Sequence, residues 1–174
     1  MLKVFNKHYQ IEMGKLLKVY SQGHCEITRD QYPQLEPGLA LLNAEQDFIT
    51  YLSDAFFLTP GAIYAVWEVS DMYLSALRLE PYKDGLLVEA LETHPDFRNR
   101  GFGKALLRSA LDYCCSQKAV PIYSHIKKNN IASLRTHVAC GFTKILDYAV
   151  YIDGSVGNDS WTLCYDENEE TRMA

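Results

Sequence analysis

Apolar and polar positions along the first sixty residues predict one short strand and two helices. From Tyr9 to Val19 the apolar residues recur at helical spacing, and they do so again from Leu39 to Leu58, where Pro60-Gly61 ends the pattern. The stretch from Tyr20 to Gly38 is rich in Gly, Pro and polar residues, which predicts a long loop. The strand is predicted at Lys3 to Asn6, ahead of the first helix.

The rest of the chain alternates between apolar runs of strand length and helical segments. Strands are predicted at Ile63 to Val69, Tyr73 to Glu80, Leu86 to Thr93, Pro121 to Ile126, Lys144 to Ile152 and Ser160 to Tyr165, and helices at Gly101 to Ser116 and Ile131 to Ala139. The order β-α-α-β-β-β-α-β-α-β-β predicts an α/β fold with a mixed sheet. We expect a single domain over residues 1–165 and a frayed acidic tail over 166–174.

Composition and charge narrow the range of functions. The chain has 174 residues, of which 48% are hydrophobic and 22% charged, as is typical of a soluble globular protein. A net charge of −5 disfavours nucleic acid as a partner, and no apolar run is long enough to span a bilayer. With no secretory signal and five cysteines that lack C-x-x-C spacing, we expect a cytoplasmic protein with reduced thiols and no metal.

A glycine-rich motif, Arg98-Asn99-Arg100-Gly101-Phe102-Gly103-Lys104, lies between a predicted strand and a predicted helix. A turn at this position points backbone N–H groups outward at the positive end of the helix dipole, where phosphate binds. The segment from His94 to Arg108 carries four basic residues and one Asp in an otherwise acidic chain. The motif is therefore predicted to hold a pyrophosphate group.

Two common phosphate-binding motifs do not fit this spacing. A Walker A loop needs Gly five places before the Gly-Lys pair and Ser or Thr after it, and these positions hold Arg98 and Ala105. A dinucleotide fingerprint needs a third Gly where the chain has Leu106. Both nucleotide-binding interpretations therefore fail on the residues present.

The pattern that remains, Arg-x-x-Gly-x-Gly, resembles the acyl-CoA-binding signature of the GNAT acyltransferase superfamily. A second segment, Asn130-Ile131-Ala132-Ser133 followed by Gly141-Phe142, is similar to a later motif of that family, in which Asn opens the last helix. The motifs and element order match over about residues 63–165. The resemblance implies the GNAT fold, a central mixed, mostly antiparallel β-sheet flanked by helices.

The resemblance also implies an N-acetyltransferase that takes acetyl-CoA as co-substrate and transfers its acetyl group to a primary amine. Backbone N–H groups from Arg98 to Lys104 would hold the pyrophosphate, strand residues Leu91-Glu92-Thr93 would pair with the pantetheine arm, and Asn130 would hydrogen-bond that arm. Asn130 also fits a helix N-cap, and the two roles are compatible. The protein would work as a monomer or homodimer.

Two carboxylates on the predicted central strand, Glu89 and Glu92, are candidates for the base that deprotonates the amine. Strand alternation places Glu89 with Leu87 and Leu91 and places Glu92 on the opposite face. The resemblance favours the face of Glu89 for the base. A structural ion pair between Glu89 and Arg78 is the alternative.

Histidine and tyrosine side chains supply the other candidates. His137 stands seven residues after Asn130, where the family usually has Tyr as the acid that protonates the thiolate. It could serve as that acid, hydrogen-bond the sulfur, or face solvent. His125, Tyr148 and Tyr151 are predicted to line the acceptor side, or else to be packed in the core.

Other functions also stay open. One alternative, which the missing Tyr favours, is a non-catalytic module that binds acyl-CoA or has a regulatory role. Another is an acyltransferase with a different acyl donor or a hydroxyl acceptor.

Overall fold

A central seven-stranded sheet positions the other elements. The computed structural model describes residues 1–167, apart from the side chains of residues 25–30. Its strands are β1 (Leu2–Phe5), β2 (Ile63–Val69), β3 (Met72–Tyr82), β4 (Gly85–Thr93), β5 (Ile122–Lys127), β6 (Thr143–Leu146), β7 (Ala149–Val150), β8 (Val156–Gly157) and β9 (Ser160–Tyr165). Its helices are α1 (Met13–Gln31), α2 (Pro37–Asp54), α3 (Phe102–Ser116) and α4 (Ile131–Val138).

The sheet runs in the order β1-β2-β3-β4-β5-β9-β6, and β4 and β5 are its parallel neighbours. The remaining neighbours in this sheet are antiparallel, so the mixed, mostly antiparallel α/β architecture is confirmed. Among the described residues, no helix combines the length and the apolar character needed to cross a membrane. Residues 168–174, which form most of the predicted frayed tail, lie outside the described part of the chain.

Each face of the sheet carries its own hydrophobic core. On one face, Leu16 of α1 and Leu52 of α2 pack with Tyr64, and all three side chains are fully buried. On the other face, Leu106 of α3 packs with Leu77 of β3, and both are again fully buried. Because β2 and β3 contribute side chains to both cores, the two layers of helices are joined through these strands.

The first helix is longer than its sequence pattern predicted. The predicted loop from Tyr20 to Gly38 is wrong, because α1 continues to Gln31 and leaves only a short connection before α2. No proline interrupts the chain before Pro33, and a polar run can form the solvent side of a helix. The Glu36 carboxylate then caps α2 by accepting hydrogen bonds from the N–H groups of Gly38 and Leu39.

The predicted strand from Lys144 to Ile152 is in fact two strands in different sheets. β6 pairs with β9 in the main sheet, whereas β7 pairs with β8 in a small hairpin. The chain leaves the main sheet after Leu146, and the hydroxyl of Thr162 donates to the carbonyl of Tyr148 at 2.7 Å. The hairpin brings Tyr151 beside β5, where its ring contacts that of His125.

A bulge in β4 changes which side chains share a face. Glu92 lies opposite Ala76 and Glu89 lies opposite Arg78, so two β4 residues oppose Leu77 alone. Ala90, within the bulge, has a φ of 49°. Since Ala76 and Arg78 project to the same face, Glu89 and Glu92 do so too. The predicted placement of the two glutamates on opposite faces is therefore wrong.

β4 and β5 pair only over a short length and then separate. The paired positions run from Leu86 with Ile122 to Val88 with Ser124. At the closed end, the N–H of Leu86 donates to the carbonyl of Pro121 at 3.1 Å. Gly85 lies so near that a Cβ there would be 1.8 Å from the same oxygen, so only glycine permits this approach.

Candidate active site

Three adjoining cavities follow the separation of β4 from β5. We call them the loop cavity (about 520 Å³), the central cavity (about 300 Å³) and the outer cavity (about 550 Å³). Leu91, Glu92, Asn130 and Ser133 line both the loop and the central cavity. Arg78, Glu89 and Tyr151 line both the central and the outer cavity. The three spaces therefore form a continuous run from the glycine-rich motif to the β7–β8 hairpin.

The loop cavity is built around the N-terminus of α3. Gly101 is the N-cap of that helix and has a φ of 83°, a left-handed conformation in which glycine is the least strained residue. The loop cavity is lined by Leu91, Glu92, Thr93, Arg98, Asn99, Gly101, Phe102, Gly103, Lys104 and Asn130, together with Gln22, Gly23, Ala132, Ser133 and Thr136. It thus gathers the predicted phosphate and pantetheine residues except Arg100.

Two arginines of the motif have their side chains held by neighbouring groups. The guanidinium of Arg98 donates to the carbonyl of Thr93 at 3.2 Å and lies 3.3 Å from the Glu92 carboxylate. Arg98 also donates to the Gln22 side chain, which ties the motif to α1. The guanidinium of Arg100 stacks 5.2 Å from the centre of the Phe97 ring. These contacts fix the loop and leave its backbone beside the cavity.

Asn130 is the N-cap of α4, which was one of the two roles predicted for it. Its Oδ1 accepts a hydrogen bond from the N–H of Ser133 at 3.1 Å. The side-chain amide nitrogen is a separate group, and the residue lines both the loop and the central cavity. An amide donor can therefore serve a ligand while the amide oxygen caps the helix.

Glu89 is a half-buried carboxylate at the junction of the central and outer cavities. One of its oxygens lies 3.5 Å from a guanidinium nitrogen of Arg78, so the ion pair considered as an alternative does form. Burial raises the pKa of Glu89, and the positive charge of Arg78 partly opposes that rise. An ion pair and a raised pKa are both compatible with a group that accepts a proton near neutral pH.

His137 is a buried residue and does not face solvent. Its side chain lines the central cavity, but the residue is only 2% exposed. Nε2 lies 3.1 Å from Oγ of Ser124, and Nδ1 lies 2.9 Å from the carbonyl oxygen of Ser133. Burial lowers the pKa of His137, although the bond to Ser133 opposes this change.

His125 and Tyr151, two of the residues predicted for the acceptor side, meet in the central cavity. The His125 ring makes edge-to-face contacts with Tyr82 and Tyr151, each at 5.4 Å between centres. In the described part of the chain, both of its ring nitrogens are buried without a hydrogen-bond partner. Burial and the charge of Lys83 lower the pKa of His125. Tyr148, in contrast, is 40% exposed and is not among the residues that line the three cavities.

The outer cavity contains site residues that the sequence patterns did not single out. The hydroxyl of Tyr51 donates to Glu80 at 2.9 Å, and the Tyr51 ring lies 4.9 Å from the guanidinium of Arg78. Burial raises the pKa of Tyr51 to about 12. Asp153 completes the acidic lining. The opposite charges of Arg78 and Glu89 on adjacent predicted strands were the sequence signal available for this cavity. The contribution of Tyr51 gave no such signal, because it depends on how α2 packs in the fold.

Comparisons with known proteins agree on one family. The sequence model described as "Acetyltransferase (GNAT) family" matches residues 23–142. Among curated proteins, none matches this sequence.

Solved structures with a similar fold include three acetyltransferases. The PaiA N-acetyltransferase of Thermoplasma acidophilum in complex with coenzyme A is 9% identical, with a TM-score of 0.63 over 95% of this chain and 99% of that one. The IAA acetyltransferase of Bacillus cereus is 14% identical, with a TM-score of 0.59 over 94% and 97%. An acetyltransferase of Bacillus anthracis, in complex with acetyl coenzyme A, is 16% identical, with a TM-score of 0.51 over 64% and 66%. At these identities the likeness concerns the fold.

Proposed function

Because the chain belongs to the GNAT acetyltransferase family, we propose that it transfers the acetyl group of acetyl-CoA to a primary amine of a small molecule or peptide. The observation that carries this proposal is the continuous run of three cavities. One end lies at a helix N-terminus flanked by basic residues, and the other end is lined with carboxylates. An anionic donor and a cationic acceptor could therefore approach the same central space from opposite ends.

The donor would lie in the loop cavity with its reactive end in the central cavity. N–H groups at the start of α3 would bind the pyrophosphate, assisted by the side chain of Lys104. Strand residues Leu91 to Thr93 would pair with the pantetheine arm along the edge that β5 leaves uncovered. The family's structures in complex with coenzyme A and acetyl coenzyme A support this co-substrate.

The chemical step would be direct attack of the amine on the thioester carbon. An alkylammonium with a pKa of ~10.4 must first lose a proton, which costs about 4.6 kcal/mol at pH 7. We assign the acceptance of that proton to Glu89, because it is the one carboxylate residue that lines both the central and the outer cavity as described. We assign Glu92 the role of holding Arg98, its ion-pair partner. The bulge at Ala90 frees backbone groups from the ladder, and an N–H there would stabilise the tetrahedral oxyanion.

The lining of the outer cavity favours a cationic acceptor. Glu80, Glu89 and Asp153 supply three carboxylates, while Arg78 supplies one positive charge that is already paired with Glu89. Tyr51 and Tyr151 add aromatic surface, which attracts ammonium groups. His125 offers two unpaired ring nitrogens that could contact the acceptor.

The proposal is tested by measuring thiol release from acetyl-CoA with a panel of amines, amino acids, peptides and alcohols. We expect amine-dependent release together with an N-acetylated product identified by mass spectrometry. Coenzyme A binding without turnover on any acceptor would support the non-catalytic alternative. Turnover on alcohols alone, or only with a longer acyl donor, would support the other alternative.

A matched pair of glycine variants tests the donor site within the same proposal. We expect Gly103→Glu to lower the affinity for acetyl-CoA at least 100-fold, because it adds bulk and negative charge where phosphate would bind. A Cβ at Gly103 would lie 3.0 Å from the Thr93 hydroxyl. Gly14→Glu in α1 makes the same charge change where a Cβ meets nothing within 4 Å, and it should bind normally in calorimetric titration. Unchanged affinity in Gly103→Glu would refute the phosphate site.

A further inference from the structure

Ser124 and His137 form a hydrogen-bonded pair whose protonation follows from its surroundings. A carbonyl oxygen can only accept, so the 2.9 Å contact with Ser133 places a proton on Nδ1 of His137. In the neutral ring Nε2 then has no proton and accepts the hydroxyl proton of Ser124, 3.1 Å away. In this pair the Ser124 hydroxyl donates to the imidazole, and the hydrogen bond from Nδ1 to the Ser133 carbonyl fixes the orientation of the ring.

Ser124 occupies the point at which β4 and β5 separate. It is the last β5 residue paired with β4, opposite Val88, and it lines the central cavity. An acetyl group that passes from a donor in the loop cavity to an acceptor in the outer cavity must cross this central space. Ser124 is therefore placed beside the reacting atoms of the proposed transfer.

His137 lines the same cavity but offers the reacting atoms no unbonded ring nitrogen. Its two ring nitrogens are already bonded to Ser124 and to the main chain of α4, and the ring packs edge-to-face on Phe142 at 5.0 Å. An imidazole is also shorter than the phenol that the family usually carries at this position of the helix. A hydroxyl that is bonded to Nε2 and belongs to another residue of the same cavity lining could pass a proton between the imidazole and that space.

We propose that the Ser124 hydroxyl carries a proton from the attacking amine to the departing sulfur, with His137 holding a proton in between. This inference rests on the proposed acetyltransferase function. This relay differs from a mechanism in which His137 itself protonates the thiolate, because here the neutral imidazole first accepts a proton from Ser124. Ser124 is the group that contacts the substrate, and His137 is a positioning and relay residue behind it.

The proton transfers balance as follows. The amine attacks the thioester carbon, forming the C–N bond and an intermediate that still carries the extra N–H proton. That proton passes to Oγ of Ser124 while the original Ser124 proton passes to Nε2 of His137. The C–S bond then breaks with its electron pair on sulfur, Ser124 gives sulfur a proton, and His137 returns the stored proton to Ser124. Glu89 acts earlier, by neutralising the acceptor ammonium before the attack.

Kinetics of Ser124 variants test the proposal. We expect Ser124→Ala to lower kcat about 100-fold or more, in the range of a lost acid–base group, and to change the KM for acetyl-CoA by less than about threefold. Ser124→Thr keeps the hydroxyl and should recover most of the loss. Thr162→Val is the matched control, because it removes a fully buried, hydrogen-bonded hydroxyl from the neighbouring strand outside the cavities. Its kcat should stay within about threefold of the parent.

Two kinetic results would overturn the proposal. One is a Ser124→Ala enzyme whose kcat stays within about threefold of the parent, since the loss of a proton-transferring group should lower kcat by about 100-fold or more. The other is a loss of kcat in Ser124→Ala that Ser124→Thr does not restore and that is accompanied by an equal loss of affinity for acetyl-CoA. That result would show a structural role for Ser124. A parent protein inactive toward every acceptor would instead count against the proposed function.

A second measurement needs no turnover. Nitrogen NMR of histidine-labelled protein should show His137 as the neutral Nδ1–H tautomer, with an Nε2 signal that shifts in Ser124→Ala. An Nε2–H tautomer, or an Nε2 signal unaffected by the substitution, would refute the relay whatever the activity of the protein.

Discussion

Glu89 shows how a single side chain combines structural and chemical constraints. Its carboxylate is held near Arg78 at 3.5 Å, while burial raises its pKa. The proximity of Arg78 keeps the charged form accessible, and burial makes that form a better proton acceptor than an ordinary exposed glutamate. A carboxylate in this setting fits the proposed deprotonation of an amine.

We expect Glu89→Gln to lower kcat by about 100-fold or more near neutral pH, since the amide cannot accept the ammonium proton. The parent should lose activity as pH falls through the raised pKa of Glu89, because protonation removes the base. The variant should regain activity above about pH 8, where more of the amine is already deprotonated. The pH dependence of kcat/KM checks this.

The control is Asp112→Asn, which removes an exposed negative charge on α3 outside the three cavities. It should leave the pH dependence of kcat/KM unchanged. A Glu89→Gln profile that overlays the parent profile would remove Glu89 as the base.

At the residue scale, sequence reasoning named most of the lining of the loop cavity but little of the lining of the outer cavity. Gly101, Gly103 and Asn130 could be placed because local chain geometry determines their positions. Ser124 could not, since its importance comes from the end of strand pairing and from a partner on α4. Tyr148 does not line any of the three cavities described, because the chain leaves the main sheet after Leu146, and its place on the acceptor side stays a prediction.

At the scale of elements, the bulge in β4 is held from α1 by a chain of hydroxyl groups. The Tyr20 hydroxyl donates to the carbonyl of Ala90 at 2.8 Å, and the Tyr64 hydroxyl donates to that of Tyr20 at 2.8 Å. Tyr20 is 7% exposed and Tyr64 is fully buried, so these bonds lie largely outside water. They couple the position of the first helix to the strand that carries Glu89.

We expect Tyr20→Phe to lower the free energy of unfolding by about 1–3 kcal/mol, because it leaves the Ala90 carbonyl and the Tyr64 hydroxyl without this partner. Tyr64→Phe keeps the bond to Ala90, so both its stability and its kcat should fall less. Urea denaturation and steady-state kinetics of the two variants check the order. A Tyr64→Phe variant with the greater loss of kcat would contradict the idea that the bond to Ala90 positions the strand.

The elements themselves were predictable where the pattern was strongly periodic and bounded by breakers. The strand from Ile63 to Val69 was predicted with its observed bounds, and α3 begins one residue later than predicted. α1 was truncated in the prediction because polar residues on a helix resemble a loop when only one face is buried. The bulge at Ala90 could not be predicted, since strand alternation assumes an unbroken register.

At the scale of the whole molecule, two cores share one sheet. Leu52 lies in the core beneath α1 and α2, and Leu106 lies in the core beneath α3, and both are fully buried. β2 and β3 contribute to both, with Tyr64 and Ala65 facing opposite sides. This sharing favours a single cooperative unfolding transition.

We expect Leu52→Ala and Leu106→Ala each to lower the free energy of unfolding by about 2–5 kcal/mol, as buried leucine deletions do. Circular dichroism and the fluorescence of Trp67 and Trp161 should report the same midpoint in each variant. Leu39→Ala, at a position 49% exposed on α2, is the control and should change stability by less than about 0.5 kcal/mol. Midpoints that differ between the two probes would show that the cores unfold separately.

The overall architecture followed from the order of elements together with two short motifs. The family resemblance supplied the mostly antiparallel character of the sheet. The order of the strands within it was not predicted, because pairings such as that of β5 with β9 join segments that are distant in sequence. What remained beyond prediction is the outer cavity, where α2, β3 and the β7–β8 hairpin meet. Its composition depends on tertiary packing.

The contact between Gly85 and Pro121 limits how this protein can evolve. The two residues are far apart in sequence, yet the main chain of one forbids any side chain on the other. Because the contact fastens the closed end of the gap between β4 and β5, a larger residue in that turn would alter the space at its open end. Substitutions at Gly85 should therefore be among the least tolerated in the chain, whereas changes to the side chains around the outer cavity leave this contact untouched.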